Sequence, residues 1–250
     1  MNRLSSDSFM QLIQADFAVA GIKAFVTTRQ GGMSSAPFDS LNLGDHVGDD
    51  VAVVQRNRTR LQAALPSGCS LKWLTQVHGT EVVSWDEADL GTQADSIWTN
   101  QTDQVCMVLT ADCLPVLFAS RDAQVVAAAH AGWRGLASGV LESTVQALPV
   151  SADQLMAWLG PAIGPTVYEV GAEVRAAFVD VEPENQSAFS RRGSRWLADL
   201  YQLARVRLER LGVHQIAGGH FCTFTQQELF FSHRRDGARS GRMASLIWRE

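Results

Sequence analysis

Three short segments set side chains that bind metals or act as nucleophiles beside residues that bend the chain. They are Thr75-Gln-Val-His-Gly79, Thr110-Ala-Asp-Cys-Leu-Pro115 and Ala129-His-Ala-Gly-Trp-Arg-Gly135. In each, His78, Cys113 or His130 comes just past an apolar run that reads as a strand. One thiolate and two imidazoles suit zinc, and three protein ligands leave a fourth tetrahedral position open, as in catalytic rather than structural zinc sites. The same residues fit a metal-free chemistry, with Cys113 a thiolate nucleophile activated by His130 and attacking an amide or acyl carbon. They also fit an inert role, the cysteine filling core and each histidine bonded to a backbone carbonyl. Cys106, inside an apolar run, and Cys69 read as packing; Cys222, two residues after His220, is ambiguous because the pair shares a face only on a regular strand.

Other polar residues could hold a substrate. Arg58 shares a helix face with apolar positions and needs either an anionic ligand or a structural carboxylate. Ser232-His-Arg-Arg-Asp-Gly237, with Arg239 and Arg242 after it, packs cations into a turn that could grip a phosphate or simply face solvent. Arg58, Gln76, Arg234 and Arg235 are therefore the expected substrate- or phosphate-binding residues. Trp133 and Tyr168 could stack on a base or fill core. Phosphate-loop and dinucleotide patterns are missing, because Gly31-Gly32 lacks a following Gly-Lys-Ser and Gly132-Trp-Arg-Gly135 is too short. No two cysteines have zinc-finger spacing, so a metal site must be assembled from distant segments.

The elements that must position these residues alternate. Lys23 to Arg29 reads as a strand, then a Gly31-Gly32 turn, a polar loop, and a helix opening near Asp49 or Asp50 and running to about Leu65, with Val51, Val54, Arg58 and Leu61 on one face. Leu71 to Val77, Glu81 to Trp85, Ser96 to Trp98, Val105 to Thr110, Pro115 to Ala119 and Val125 to Ala129 read as short strands of one mainly sequential sheet. Leu136 to Leu148 has helical spacing, which puts His130 at a strand end facing a helix start. Leu155 to Leu159 reads as a strand, Ala172 to Val179 and Arg195 to Leu211 as helices, Glu182 to Ser194 as a surface loop, and Met243 to Trp248 as a final strand.

With 250 residues and a net charge of -5, one domain over residues 1–250 is expected, without a broad basic face for nucleic acid. Met1 to Asp16 lacks the apolar stretch of a signal peptide, and no apolar run is long enough to span a bilayer, so a cytoplasmic location with reduced cysteines is expected.

Read together, the motifs resemble those of the YfiH-type laccase-domain family, found in bacteria and in a human immunometabolic enzyme. The likeness runs over nearly the whole chain, through Asn42-Leu-Gly44, Val47-Gly-Asp-Asp50, Asn57-Arg58, Ala94-Asp95, Leu159-Gly-Pro-Ala-Ile-Gly-Pro165, Tyr168-Glu-Val170, Arg234-Arg-Asp-Gly237 and Gly241-Arg242 besides the three segments above. Many members carry Cys where Ala162 stands here. The resemblance implies an α/β fold, a single-domain α-β sandwich with mixed β-sheet related to toxin domains that use a Cys-His hydrolase pair. It implies that His78, Cys113 and His130 are zinc ligands. It implies phosphorolysis of adenosine, inosine, guanosine and methylthioadenosine and deamination of adenosine; deamination needs a nearby acid or base, for which Asp112 and Glu169 are the candidates. The partners would be a purine nucleoside and phosphate, with no nucleic acid or membrane, in a monomer or homodimer.

The family also carries an older label, copper-dependent polyphenol oxidase. A multicopper cluster needs many imidazoles, whereas this chain has 6 histidines and no His-x-His pair. A single copper could occupy the three-ligand site. The alternatives kept are therefore a laccase-like oxidase, a Cys-His hydrolase and, last, a zinc module that only recruits partners.

Overall fold

A computed structural model describes residues 10–250; the first nine residues of the polar N-terminal stretch considered above lie outside them. In chain order the elements are β1 (Leu12–Gln14), β2 (Ile22–Thr27), α1 (Val51–Ala63), β3 (Ser70–Leu71), β4 (Val82–Ser84), β5 (Ser96–Thr99), β6 (Gln104–Thr110), β7 (Leu114–Ser120) and β8 (Val126–Ala131). There follow α2 (Trp133–Ser138), α3 (Val140–Ala147), β9 (Leu155–Leu159), β10 (Glu169–Val170), α4 (Ala172–Val179), β11 (Phe189–Arg192), β12 (Arg195–Ala198), α5 (Leu200–Arg210), β13 (Gln215–Gly218), α6 (His233–Asp236) and β14 (Met243–Arg249).

The apolar strands divide between two stacked mixed sheets, one of order β1-β2-β14-β6-β3 and one of order β13-β9-β7-β8-β5-β4. Period-two alternation sorts their side chains into layers. Along β7, Val116 and Phe118 point at the helices while Leu117 and Ala119 point at the other sheet. Along β6, Cys106 and Val108 enter the layer between the sheets, and Val105 and Met107 pack on the far side with Leu61 of α1. The result is four layers: α1, the five-stranded sheet, the six-stranded sheet, and α2 to α5. The expected α-β sandwich with mixed β-sheet is therefore correct in class, but it holds two main sheets rather than one sequential sheet. β6 leaves its chain neighbours to lie between β14 and β3, because its two apolar faces can both be buried only there.

Other differences have local causes. Arg195 to Leu211 is not one helix: residues 195–198 pair with β10 and β11, and the Asp199 carboxylate accepts the Gln202 N–H at 3.0 Å to start α5. Glu182 to Ser194 is not a plain loop; it contains a 3-10 turn and β11, with Asn185, Ala188 and Phe189 buried. The Leu136 to Leu148 stretch is two helices, broken at Gly139 with φ 101. Val51 is 67% exposed, so the apolar face of α1 begins at Val54. Leu71 to Val77 pairs as a strand only at its start. Further on, the Gln76 side chain takes over the role of a strand, donating to Leu109 O at 2.8 Å and accepting from Leu109 N–H at 2.7 Å. No helix among the described residues is long and apolar enough to cross a membrane.

Candidate active site

The site forms where the chain crosses between the two sheets. β6 ends at Thr110, and the turn Ala111-Asp112-Cys113 carries the chain over to β7, with Asp112 at φ 87. Asp112 is fixed there by two hydrogen bonds, accepting from the Thr223 hydroxyl at 2.6 Å and from the Arg234 N–H at 2.6 Å. His130 lies next to the end of β8, opposite Pro115 of β7, so Cys113 and His130 are brought together by strand register. His78 comes from the loop after the Thr75 bridge to Gln93.

His78 has φ 59, an unusual conformation for a residue with a side chain, and the buried Asp95 carboxylate holds it. One carboxylate oxygen accepts the His78 N–H at 3.0 Å and lies 2.7 Å from His130 Nδ1; the other accepts the Val77 N–H at 3.2 Å and the Gly79 N–H at 2.7 Å. Three successive N–H groups around a left-handed residue form an anion-binding nest, here filled by Asp95. With Nδ1 of His130 engaged, its Nε2 is left for a ligand. His78 Nε2 is 3.8 Å from Cys113 Sγ, and the ligand atoms of His78, Cys113 and His130 all lie within 4.8 Å of one another. Among the described residues this is the one such group able to hold a metal ion. Gly132 makes room for it: a Cβ there would lie 2.9 Å from His78 Cδ2 and 3.0 Å from Cys113 Sγ.

The electrostatics suit a deprotonated thiol. Burial pushes Cys113 up, but the positive charge and hydrogen bond of His130, with the hydrogen bond of His78, outweigh it and bring the thiol down to about 6. Burial lowers His130, while the Cys113 thiolate and the Asp95 carboxylate raise it to about 9. In contrast, burial alone pushes the Cys106 thiol far up.

The three residues open onto a cavity of about 770 Å³. Its wall combines aromatic and apolar groups, among them Trp73, Leu109, Trp133 and Tyr168, with the cations Arg58, Arg234 and Arg242. The loop before α1 contributes Asp45 and His46, and is held by Asn57, which donates to Ser34 Oγ and Asn42 O at 2.9 Å each.

Residues 23–250 match the family model described as multi-copper polyphenol oxidoreductase laccase. The chain belongs to this YfiH-type laccase-domain family. Similar proteins include one from Pseudomonas aeruginosa named purine nucleoside phosphorylase, 53% identical over 233 residues, covering 92% of this chain and 95% of the relative. The Escherichia coli purine nucleoside phosphorylase YfiH is 53% identical over 231 residues, covering 91% and 94%. Among solved structures, Neisseria meningitidis protein NMB0706 superposes with a TM-score of 0.92 at 48% identity, covering 96% of this chain and 99% of that one. A Bacillus licheniformis hypothetical protein, YfiH, superposes at 0.89 with 30% identity, covering 99% and 98%.

Within this family fold the expected binding residues have different surroundings. Arg58 lines the cavity with its guanidinium 3.0 Å from Asp45 and stacked 4.0 Å over Trp73, so it has a structural carboxylate as partner. Gln76 also lines the cavity, but both ends of its amide are bonded to Leu109. Arg234 lies over the Tyr168 ring and donates to Glu169 O at 2.7 Å. Arg235 stands outside the cavity wall, donating to Thr223 O, Phe224 O and Phe230 O and pairing with Asp236. Glu169 is likewise outside, near Arg192 and Arg195. Cys222 sits in a separate cleft, accepting the Gly164 N–H at 3.3 Å. Trp133 and Tyr168 both face the cavity. Sequence reasoning gave no role to Asp95, which the Ala94-Asp95 motif marked, or to Trp73, which nothing local in the sequence marks.

Proposed function

We propose that the chain is a zinc-dependent purine nucleoside enzyme that phosphorolyses adenosine, inosine, guanosine and methylthioadenosine and deaminates adenosine. The observation that carries this is the convergence of His78, Cys113 and His130 on a cavity whose wall holds both aromatic rings and arginines. The names of the relatives from Pseudomonas and Escherichia support it. A zinc ion on these three ligands supplies a Lewis acid at the cavity wall.

The chain's own residues do the rest. Asp95 holds His130 in one tautomer and keeps His78 aimed at the site. Trp73, Trp133 and Tyr168 offer faces and edges to a purine, and burial keeps the Tyr168 phenol protonated as a hydrogen-bond donor. In phosphorolysis an oxygen of orthophosphate bonds to C1′ of the ribose, and the bond from C1′ to the base nitrogen breaks. Its electron pair leaves with the base, which takes up a proton. A cationic wall stabilises the phosphate and the departing charge. The four unpaired cysteines fit a reducing compartment, so the proposed location is the cytoplasm. The chain is proposed to act as one domain, a monomer or homodimer, on small molecules rather than nucleic acid.

A second reading rests on the same donor set. Copper(II) binds an N/S site more tightly than zinc, and the family description names a copper oxidase, so a copper-loaded form would oxidise phenols with dioxygen as the electron acceptor. Product analysis by chromatography separates the two. Zinc-loaded protein should release free base from inosine or adenosine only when phosphate is present, and Cys113→Ala should abolish release. If no purine nucleoside is turned over by zinc-loaded protein, the nucleoside reading fails.

A further inference from the structure

We propose that Arg242 and Thr110 form the oxyanion subsite of the cavity, where orthophosphate is held; the assignment rests on the phosphorolysis reading above. Three arginines line the cavity, and they are not equivalent. Arg58 is neutralised by Asp45 at 3.0 Å and covered by Trp73. Arg234 also lacks a carboxylate at ion-pair distance among the described residues, but it is exposed, with Nη1 donating to Glu169 O and the guanidinium over the Tyr168 ring. Arg242 has no carboxylate within ion-pair distance among the described residues. Its Nη1 donates to Ser240 O at 2.8 Å and Gly241 O at 3.2 Å, and its Nε and Nη2 have no protein acceptor among the described residues. Burial draws the guanidinium below its ordinary value, against an opposing pull from Cys113 and Asp112, which line the same cavity. A largely buried cation with no carboxylate at ion-pair distance is poorly compensated, and an anionic ligand offsets that penalty.

The second observation is independent. Thr110 is 2% exposed, lines the same cavity, and its hydroxyl has no hydrogen-bond partner. Buried hydroxyls without partners are uncommon and mark a missing ligand or water. Thr110 pairs in register with Met243, so Arg242 lies one residue beyond it across the β6–β14 ladder. The stem of Arg242 is clamped by the preceding loop. Its backbone N–H donates to Asn42 Oδ1 at 2.9 Å, and a Cβ on Gly44 would lie 2.7 Å from its Cγ. A held guanidinium with two nitrogens free of protein acceptors, on the same cavity wall as a hydroxyl donor, offers partners to the oxygens of a tetrahedral oxyanion.

The test is steady-state phosphorolysis of inosine by the metal-loaded protein with phosphate varied at constant ionic strength, the metal content of each variant being measured. Losing a charge-assisted hydrogen bond should raise the phosphate KM roughly 10- to 100-fold in Arg242→Gln. Losing a neutral one should raise it roughly 2- to 10-fold in Thr110→Val, with the inosine KM little changed in both. Arg242→Lys, which keeps the charge, should recover part of the loss. A readout without turnover accompanies these: inorganic phosphate should raise the Tm of the wild type more than chloride does, and Arg242→Gln should lose that increment. An unchanged phosphate KM and a retained Tm increment in Arg242→Gln would overturn the assignment. If the wild type turns over no nucleoside, the phosphorolysis reading fails by itself. The subsite then stands if the Tm increment depends on Arg242 and falls if it does not.

Discussion

Replacing Asp95 by Asn changes one atom of a buried side chain and should disable the site from behind. If the amide oxygen keeps the side that serves His78 N–H at 3.0 Å and His130 Nδ1 at 2.7 Å, the amide NH2 then faces the Val77 and Gly79 N–H groups, which approach to 3.2 and 2.7 Å. Two charge-assisted bonds are lost and donors meet donors. At roughly 1.5–3 kcal/mol each, the cost is about 3–6 kcal/mol of stability. His78 at φ 59 loses the nest that holds it, and His130 loses the anion that fixes its tautomer, so metal affinity should fall roughly 10- to 100-fold.

The pH dependence has a definite sign. Burial raises the Asp95 carboxyl, but the hydrogen bond with His130 and those from Gly79 and Val77 outweigh it, so its folded value lies below the ordinary 3.8. Its stabilisation is then complete above that ordinary value and is lost as the pH falls through the lower folded one, a slope the Asn variant lacks. Urea unfolding of metal-free protein and competition with a chromogenic zinc chelator measure both effects. A variant within 1 kcal/mol of wild type in stability, with zinc affinity within about twofold, would refute the reasoning.

In metal-free protein, iodoacetamide should alkylate Cys113 at a rate that rises through about pH 6, while Cys106 stays unreacted until unfolding and bound metal protects Cys113; a midpoint near the ordinary 9.0 would contradict this. Gly132→Ala puts a methyl 2.9 Å from His78 Cδ2 and 3.0 Å from Cys113 Sγ, so metal measured by elemental analysis should be lost while circular dichroism stays native. Phe118, fully buried between β7 and the helices, should cost roughly 3–5 kcal/mol on truncation to Ala in urea unfolding.

The candidate site residues stand out in the sequence because each sits at a local break: His130 next to the end of β8 and before the α2 start, Cys113 before Pro115, His78 before Gly79. Strands such as β7, β9 and β14 were legible for the same local reason, an apolar run bounded by turn residues. Where two patterns compete locally, as in residues 195–211, helical spacing concealed a strand whose partners, β10 and β11, lie elsewhere in the chain. The sequence by itself determined the α/β class, the candidate donor side chains and the bends beside them, since these follow from side-chain chemistry and short-range periodicity. Only the tertiary structure decided that β6 and β7 belong to different sheets, that Asp95 fills the nest behind His78 and His130, that Asp45 neutralises Arg58, and that Arg242 has no carboxylate at ion-pair distance among the described residues. Those outcomes depend on which distant groups burial brings together, and a charge's partner is set by that packing rather than by its neighbours in sequence.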